Sequence, residues 1–125
     1  MLYKERKNDV PYIVNMANRV KVNLPVLKKL RKCCAKDRKA LLTQGGKPLQ
    51  LCLRECAINI LKGNVHLTQP QFKKLRSHKQ KLRDLSKKNT SHKKRLDIEQ
   101  KGGFLPLLLA PILGSVLGGL LKNTK

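Results

Sequence analysis

The chain has 125 residues, and its 29 Lys and Arg residues against 7 Asp and Glu residues give it a net charge of +22. A charge of this size opposes compaction and favours a polyanionic partner, which excludes a single globule with an ordinary mixed surface. Aromatic residues make up 3% of the chain and there are three His residues, which argues against binders that stack single-stranded bases and against acid–base enzymes, so we expect a non-enzymatic protein with one small domain.

Residues 1–22 give no clear periodic signal, and the apolar stretch Val10–Val14 is interrupted by Pro11. We interpret this segment as a flexible arm. Residues 1–9 carry charges of both signs and no apolar run follows them, a pattern unlike that of a signal peptide. We therefore expect the protein to stay in a reducing compartment.

The sequence pattern of residues 23–63 predicts two helices, separated by a Gly-Gly break at 45–46. Asn23 is a favourable N-cap and Pro25 lies in the first turn, where its missing N–H costs nothing. Apolar residues then recur at steps of three and four up to about residue 42. The second helix starts near Pro48 and ends at Gly63, a residue typical of helix C-termini. Because it carries few charges, we expect it to be the buried helix.

The sequence pattern of residues 68–101 predicts two more helices, both with basic surfaces. Thr68 and Gln71 have the spacing of a capping box, and their helix is expected to run to about residue 88. Ser91 is the candidate N-cap of a short helix that Gly102-Gly103 would end. We therefore predict a mainly α fold: a small three-helix basic domain over 23–88, a basic helical connector over 89–103 and a C-terminal apolar helix over 104–121.

Basic residues dominate 71–101, where twelve Lys and Arg residues accompany three acidic ones. Like charges three or four residues apart destabilise an isolated helix, so a polyanion-binding surface is favoured over a plain solvated face. Lys outnumbers Arg nine to three, and Lys suits phosphate contacts better than bidentate base recognition. We predict that duplex DNA of any sequence binds through Lys73, Lys74, Arg76, Lys79, Lys81, Arg83, Lys87, Lys88, Lys93, Lys94 and Arg95.

The four cysteines are predicted to be free thiols buried in a small core. Cys52 and Cys56 share one face of the second helix, and Cys33 and Cys34 lie on the helix before it. The alternatives are a four-thiolate zinc site and a disulfide, although neither pair has the two-residue spacing of a zinc knuckle. We expect no metal and no cofactor.

Residues 104–121 contain no charge, and as a helix they would span about 27 Å, close to the thickness of a bilayer core. Ala110, Gly114 and Gly118 recur every four residues, a pattern typical of packed membrane helices. The alternative is an apolar helix that docks on the helical domain or oligomerises. The residues predicted to contact membrane or protein are Phe104, Leu105, Leu107, Leu108, Leu109, Ala110, Ile112, Leu113, Gly114 and Gly118.

The sequence KGGFLPLLLAPILGSVLGGLL after a Lys/Arg-rich stretch resembles core protein X of adenoviruses, the precursor of the mu peptide. A longer pattern over about 24–121 is similar to small basic proteins of adintoviruses and Polinton/Maverick transposons. The resemblance implies a virion core protein that binds and condenses double-stranded DNA in the virion core and the host nucleus. A membrane-active minor capsid protein, or a tail-anchored membrane protein with a basic domain, is the alternative.

The resemblance also implies a processing site at Gly102-Gly103. Precursors in the adenovirus family are cut by the viral cysteine protease after a Gly-Gly pair. The residue two positions before the first glycine of that pair is Met, Ile or Leu. In this chain Gln100 occupies that upstream position. Cleavage after Gly103 would separate the basic DNA-binding part from the apolar tail, whose partner would be a membrane or the capsid shell.

Overall fold

The computed structural model of the chain describes residues 10–100 and 104–118. These residues form seven helices and no strand, which confirms the mainly α prediction. The helices are α1 (Val10–Val22), α2 (Leu24–Lys32), α3 (Ala35–Leu61), α4 (Gln69–Ser77), α5 (Lys79–Ser86), α6 (His92–Gln100) and α7 (Phe104–Gly118).

Helix α1 covers residues that were predicted to be a flexible arm. Met16 and Val20, one turn apart, are fully buried, and α1 packs mainly against α3. Pro11 lies in the first turn of α1, where its missing N–H breaks no helical hydrogen bond. The prediction is therefore wrong for residues 10–22, and residues 1–9 lie outside the described part of the chain.

The first predicted helix, 24–42, is divided at Cys33 and Cys34, which have extended backbone angles between α2 and α3. The Gly-Gly break is present as a kink inside α3, where Gly46 has a φ of 57° and a ψ of −152°. Such a φ is in the left-handed region that glycine adopts without strain. Gly63, with a φ of 75°, follows the end of α3 as the sequence predicted.

The predicted caps of the basic helices are present. The Thr68 hydroxyl accepts a hydrogen bond from the Gln71 backbone N–H at 3.3 Å, and the Gln71 side chain accepts one from the Thr68 N–H at 3.0 Å. At the start of α6 the Ser91 hydroxyl accepts from the Lys94 N–H at 3.1 Å. The predicted helix after Thr68 is divided at His78, which separates α4 from α5.

The apolar segment does not lie apart from the helical domain. Six side chains of α7 are at most 3% exposed and belong to the same core as α1–α6: Phe104, Leu105, Leu108, Leu109, Ile112 and Leu113. Helix α7 packs against α1, α2, α3, α4 and α6. The described residues therefore form one core. This agrees with the alternative in which the apolar helix docks on the helical domain, and not with a division into domain, connector and separate apolar helix.

Two of the three small residues of α7, Ala110 and Gly114, are not among the residues of that core, and the surroundings of Gly118 lie outside the described part of the chain. Ala110 is half-buried, Gly114 is exposed, and a Cβ atom built on Gly114 would meet no atom within 4 Å. Leu107 is also half-buried. Among the described residues no single helix is long and apolar enough to cross a membrane. Segments 93–99 and 104–117 reach the length and apolar composition of a membrane-spanning helix only when taken together, and the two are bent by 80° relative to each other.

We expect Leu108→Ala to lower the free energy of unfolding by about 3 kcal/mol, because it leaves a cavity at a fully buried site. Leu117→Ala is the matched control on the same helix, since Leu117 is 55% exposed and its truncation should cost less than about 0.5 kcal/mol. Urea denaturation measures both. Equal stability of the two variants would contradict docking of α7.

Candidate nucleic-acid interface

Helices α4, α5 and α6 carry the predicted phosphate-binding residues, and the structure gives these residues three different environments. Eight are exposed and define what we call the α4–α6 basic surface: Lys73, Lys74, Arg76, Arg83, Lys87, Lys88, Lys93 and Lys94. Lys79 and Lys81 are half-buried, and Arg95 is buried. Ten of the eleven predicted side chains are therefore at least partly accessible to a ligand.

Arg95 is a structural residue and not part of this surface. It is 7% exposed, and its guanidinium donates to the backbone carbonyls of Leu85 (2.8 Å), Thr90 (3.3 Å) and Lys87. These carbonyls belong to the end of α5 and the turn before α6. The prediction of a phosphate contact at Arg95 is corrected accordingly: this side chain positions the turn that displays Lys87 and Lys88.

Asp84 is an acidic residue that pairs with two lysines of the basic surface. Its carboxylate lies 3.6 Å from the Lys94 ammonium and 4.0 Å from that of Lys87, and it accepts a hydrogen bond from Gln80 at 3.1 Å. Both lysine side chains are more than half exposed, so solvent screening makes these pairs worth at most about 1 kcal/mol. A phosphate group can therefore compete with Asp84 for either lysine.

Lys81 and His78 connect the basic helices to α7. The Lys81 ammonium lies 5.8 Å from the centre of the buried Phe104 ring, and the His78 ring meets that ring edge-on at 5.6 Å. Burial lowers the pKa of His78, and the positive charge of Lys81 lowers it further. His78 is therefore expected to be neutral at pH 7, and the positive charge here comes from Lys81.

Glu99 contributes little negative charge to the basic segment at neutral pH. It is fully buried, and burial raises its pKa to about 8, although the Arg95 charge acts in the opposite direction. Its Oε1 atom accepts a hydrogen bond of 3.5 Å from Gln50, whereas Oε2 has no partner among the described residues. A carboxyl with such a pKa is mostly protonated at pH 7.

The cysteines divide into a buried pair and a more accessible pair. Cys52 and Cys56 are buried in the core, and all four cysteines are free thiols. A side-chain hydrogen bond with Cys52 and burial both raise the pKa of Cys56, so this thiol is protonated and unreactive at neutral pH. Cys33 is half-buried and Cys34 is exposed, so core burial was the wrong prediction for Cys34.

Potential metal ligands do not converge in the described part of the chain, where no group of three or more His, Cys, Asp or Glu side chains could hold a metal ion. The predicted processing site, Gly102-Gly103, lies outside the described residues. So does any contact that it makes.

A second exposed basic surface was not included among the predicted site residues. It comprises Lys28, Lys29, Arg31 and Lys32 on α2, and we call it the α2 basic surface. Helix α2 packs against α1, α3 and α7 and makes no extensive contact with α4, α5 or α6. The two basic surfaces therefore lie on separate parts of the domain. Their charges were visible in the sequence, but their separation depends on tertiary packing.

Comparison with protein-family models, curated protein sequences and solved structures finds no match to this chain.

We expect Arg95→Leu to lower the free energy of unfolding by about 3 kcal/mol, because it leaves three backbone carbonyls without their charged donor. Lys93→Leu removes the same charge from an exposed position on α6 and should change stability by less than about 0.5 kcal/mol. Thermal or urea unfolding compares them. If Arg95→Leu weakened DNA binding and left stability unchanged, its structural role would be refuted.

We also expect the stability of the protein to fall as pH rises from about 5 to 8. The ordinary pKa of a Glu is 4.5 and that of folded Glu99 is about 8, so unfolding releases a proton in this interval. The resulting slope is at most about 1.4 kcal/mol per pH unit. Glu99→Gln should therefore gain stability relative to the wild type as pH rises, measured by thermal unfolding. Asp37→Asn, an exposed change of the same charge, is the control, and parallel curves for Glu99→Gln and wild type would disprove this assignment.

Proposed function

We propose that this protein binds double-stranded DNA through phosphate contacts, without sequence preference, and draws duplexes together. The observation that carries the proposal is the α4–α6 basic surface, where eight exposed cationic side chains lie on three short consecutive helices and the turn between the last two. Six of the eight are Lys, whose ammonium group acts as a point charge toward phosphate. Neutralising phosphates releases counterions from the duplex, which supplies affinity that does not depend on sequence.

The acidic residues of the same segment do little to offset this charge. Glu99 is buried and mostly protonated at pH 7, and Asp84 is half-buried beside two lysines. Asp97 is the exposed carboxylate that remains on α6. Repulsion among the exposed cations is therefore only weakly compensated within the chain, and a polyanion that lies across α4–α6 relieves it.

Two separate basic surfaces support the proposal that the protein condenses DNA. A single surface neutralises one duplex, whereas bringing two duplexes together requires contacts on different parts of the molecule. The α2 basic surface and the α4–α6 basic surface meet this requirement, because α2 makes no extensive contact with α4, α5 or α6 and these helices pack instead on α3 or α7. One chain can in this way contact two duplexes at once.

A virion core role follows from the resemblance to adenoviral core protein X and remains part of the proposal. In that role the DNA-bound protein would occupy the virion core and the host nucleus. The viral cysteine protease would be its processing partner at Gly102-Gly103. A membrane or capsid contact of the apolar segment would require α7 to leave the core, since six of its large apolar side chains are buried there.

We expect the affinity for a short duplex of arbitrary sequence to fall steeply with salt. If about eight phosphates are neutralised, log K against log salt concentration should have a slope of about −7. Fluorescence anisotropy of a labelled duplex, titrated between low and physiological salt, measures this slope. A slope shallower than about −2, or a strong preference for one sequence, would reject the proposed mode of binding.

We expect the triple change of Lys28, Lys29 and Lys32 to Gln to abolish duplex bridging and to leave binding of one duplex within about twofold. Energy transfer between two duplexes that carry different dyes reports bridging, and anisotropy of one duplex reports simple binding. Changing Lys73, Lys74 and Arg76 to Gln should weaken both readouts. Full bridging by the α2 variant would show that the α2 basic surface is not the second contact.

A further inference from the structure

A cavity of about 620 Å³ lies between α3 and the turn that joins α5 to α6. This volume is within the range of small-molecule sites. Four cationic side chains line it, Lys47 and Arg54 from α3 and Lys88 and Arg95 from the α5–α6 region. Among the described residues, no acidic side chain lines the cavity. Its charge therefore fits an anionic ligand.

The four cations are held in different ways. Arg95 is fixed by three backbone carbonyls, and these bonds leave two of its five N–H groups available for a ligand. The Arg54 Nε donates to the Ser86 carbonyl at 3.1 Å, while its terminal nitrogen lies 3.7 Å from Glu55. Lys47 and Lys88 are exposed. Two preorganised guanidinium groups and two mobile ammonium groups thus converge on one space.

The remaining wall adds an apolar side and a neutral polar one. Leu51 is half-buried and lines the cavity next to the cationic groups. Gln50 also lines it and donates to the buried carboxyl of Glu99 behind the wall. Since Glu99 is mostly protonated at pH 7, it places no full negative charge beneath the site.

We propose that this cavity binds an organic phosphate of about the size of a nucleotide. Arg54, Arg95 and the two lysines would hold the phosphate, and the organic part would lie against Leu51. Inorganic phosphate satisfies the charge but leaves most of the volume and the apolar wall unused, which is why an organic phosphate is favoured. The cavity shares Lys88 with the α4–α6 basic surface, whereas Lys47, Arg54 and Arg95 line the cavity and are not part of that surface. Nucleotide binding can therefore be tested separately from DNA binding.

The test is isothermal titration of the full chain with adenosine 5′-monophosphate at physiological salt. We expect one saturable site per chain and an affinity at least tenfold above that for inorganic phosphate. The double variant Lys47→Gln, Lys88→Gln should bind at least tenfold more weakly. Both changes are at exposed side chains, and circular dichroism verifies that the helices remain.

The matched control is Lys73→Gln with Lys74→Gln, which removes the same charge from α4. Helix α4 packs on α7 and makes no extensive contact with α3, α5 or α6, so this variant should bind the nucleotide within twofold of wild type. Equal weakening by both double variants would indicate diffuse attraction and overturn the proposal. Equal affinity for inorganic phosphate, or the absence of saturable binding, would also overturn it. The same holds if duplex DNA displaces the nucleotide and the affinity of the protein for that duplex depends equally on Lys47 and Lys88.

Discussion

The packing of α7 against five other helices holds together a chain whose surface charges repel one another. Each of its six buried Phe, Leu and Ile side chains contributes roughly 1.5–3 kcal/mol on removal from water. The repulsion that opposes this packing comes from exposed cations and is screened by salt. Salt therefore acts in opposite directions on the two properties of the molecule, since it favours the folded chain and weakens its binding to a polyanion.

The interior of the basic segment contains two ionisable side chains with structural functions. Arg95 gives its hydrogen bonds to the turn that carries Lys87 and Lys88, and Glu99 is buried as a mostly neutral acid. Their burial withdraws one cation and one carboxyl from the surface, so the exposed part of the segment stays as positive as the sequence suggests. Arg95 also lines the cavity proposed to bind an organic phosphate, and Glu99 lies behind its wall, where it accepts a hydrogen bond from Gln50.

Local chemistry made much of the helical organisation predictable. The Thr68 capping box, the Ser91 cap and the glycine after α3 depend on residues close in sequence, and all three are present. Helix α1 was missed because only two of its described residues are buried, and it is their packing on α3 that stabilises the helix. Arg95 was misassigned because a charged residue in a basic run gives no sign of three carbonyls that converge on it. An uncharged helix such as α7 fits a bilayer or a protein core equally well by composition, so sequence left both readings open.

Hydrogen exchange of α7 in the uncleaved, detergent-free protein tests most directly whether this helix is the core of the basic domain. The account predicts that the amides of 108–117, where Pro111 has none, exchange as slowly as those of 52–60 in α3, through the same global unfolding event. Fast exchange of α7 beside a protected α3 would contradict it and would restore an apolar tail that is separate from the DNA-binding helices.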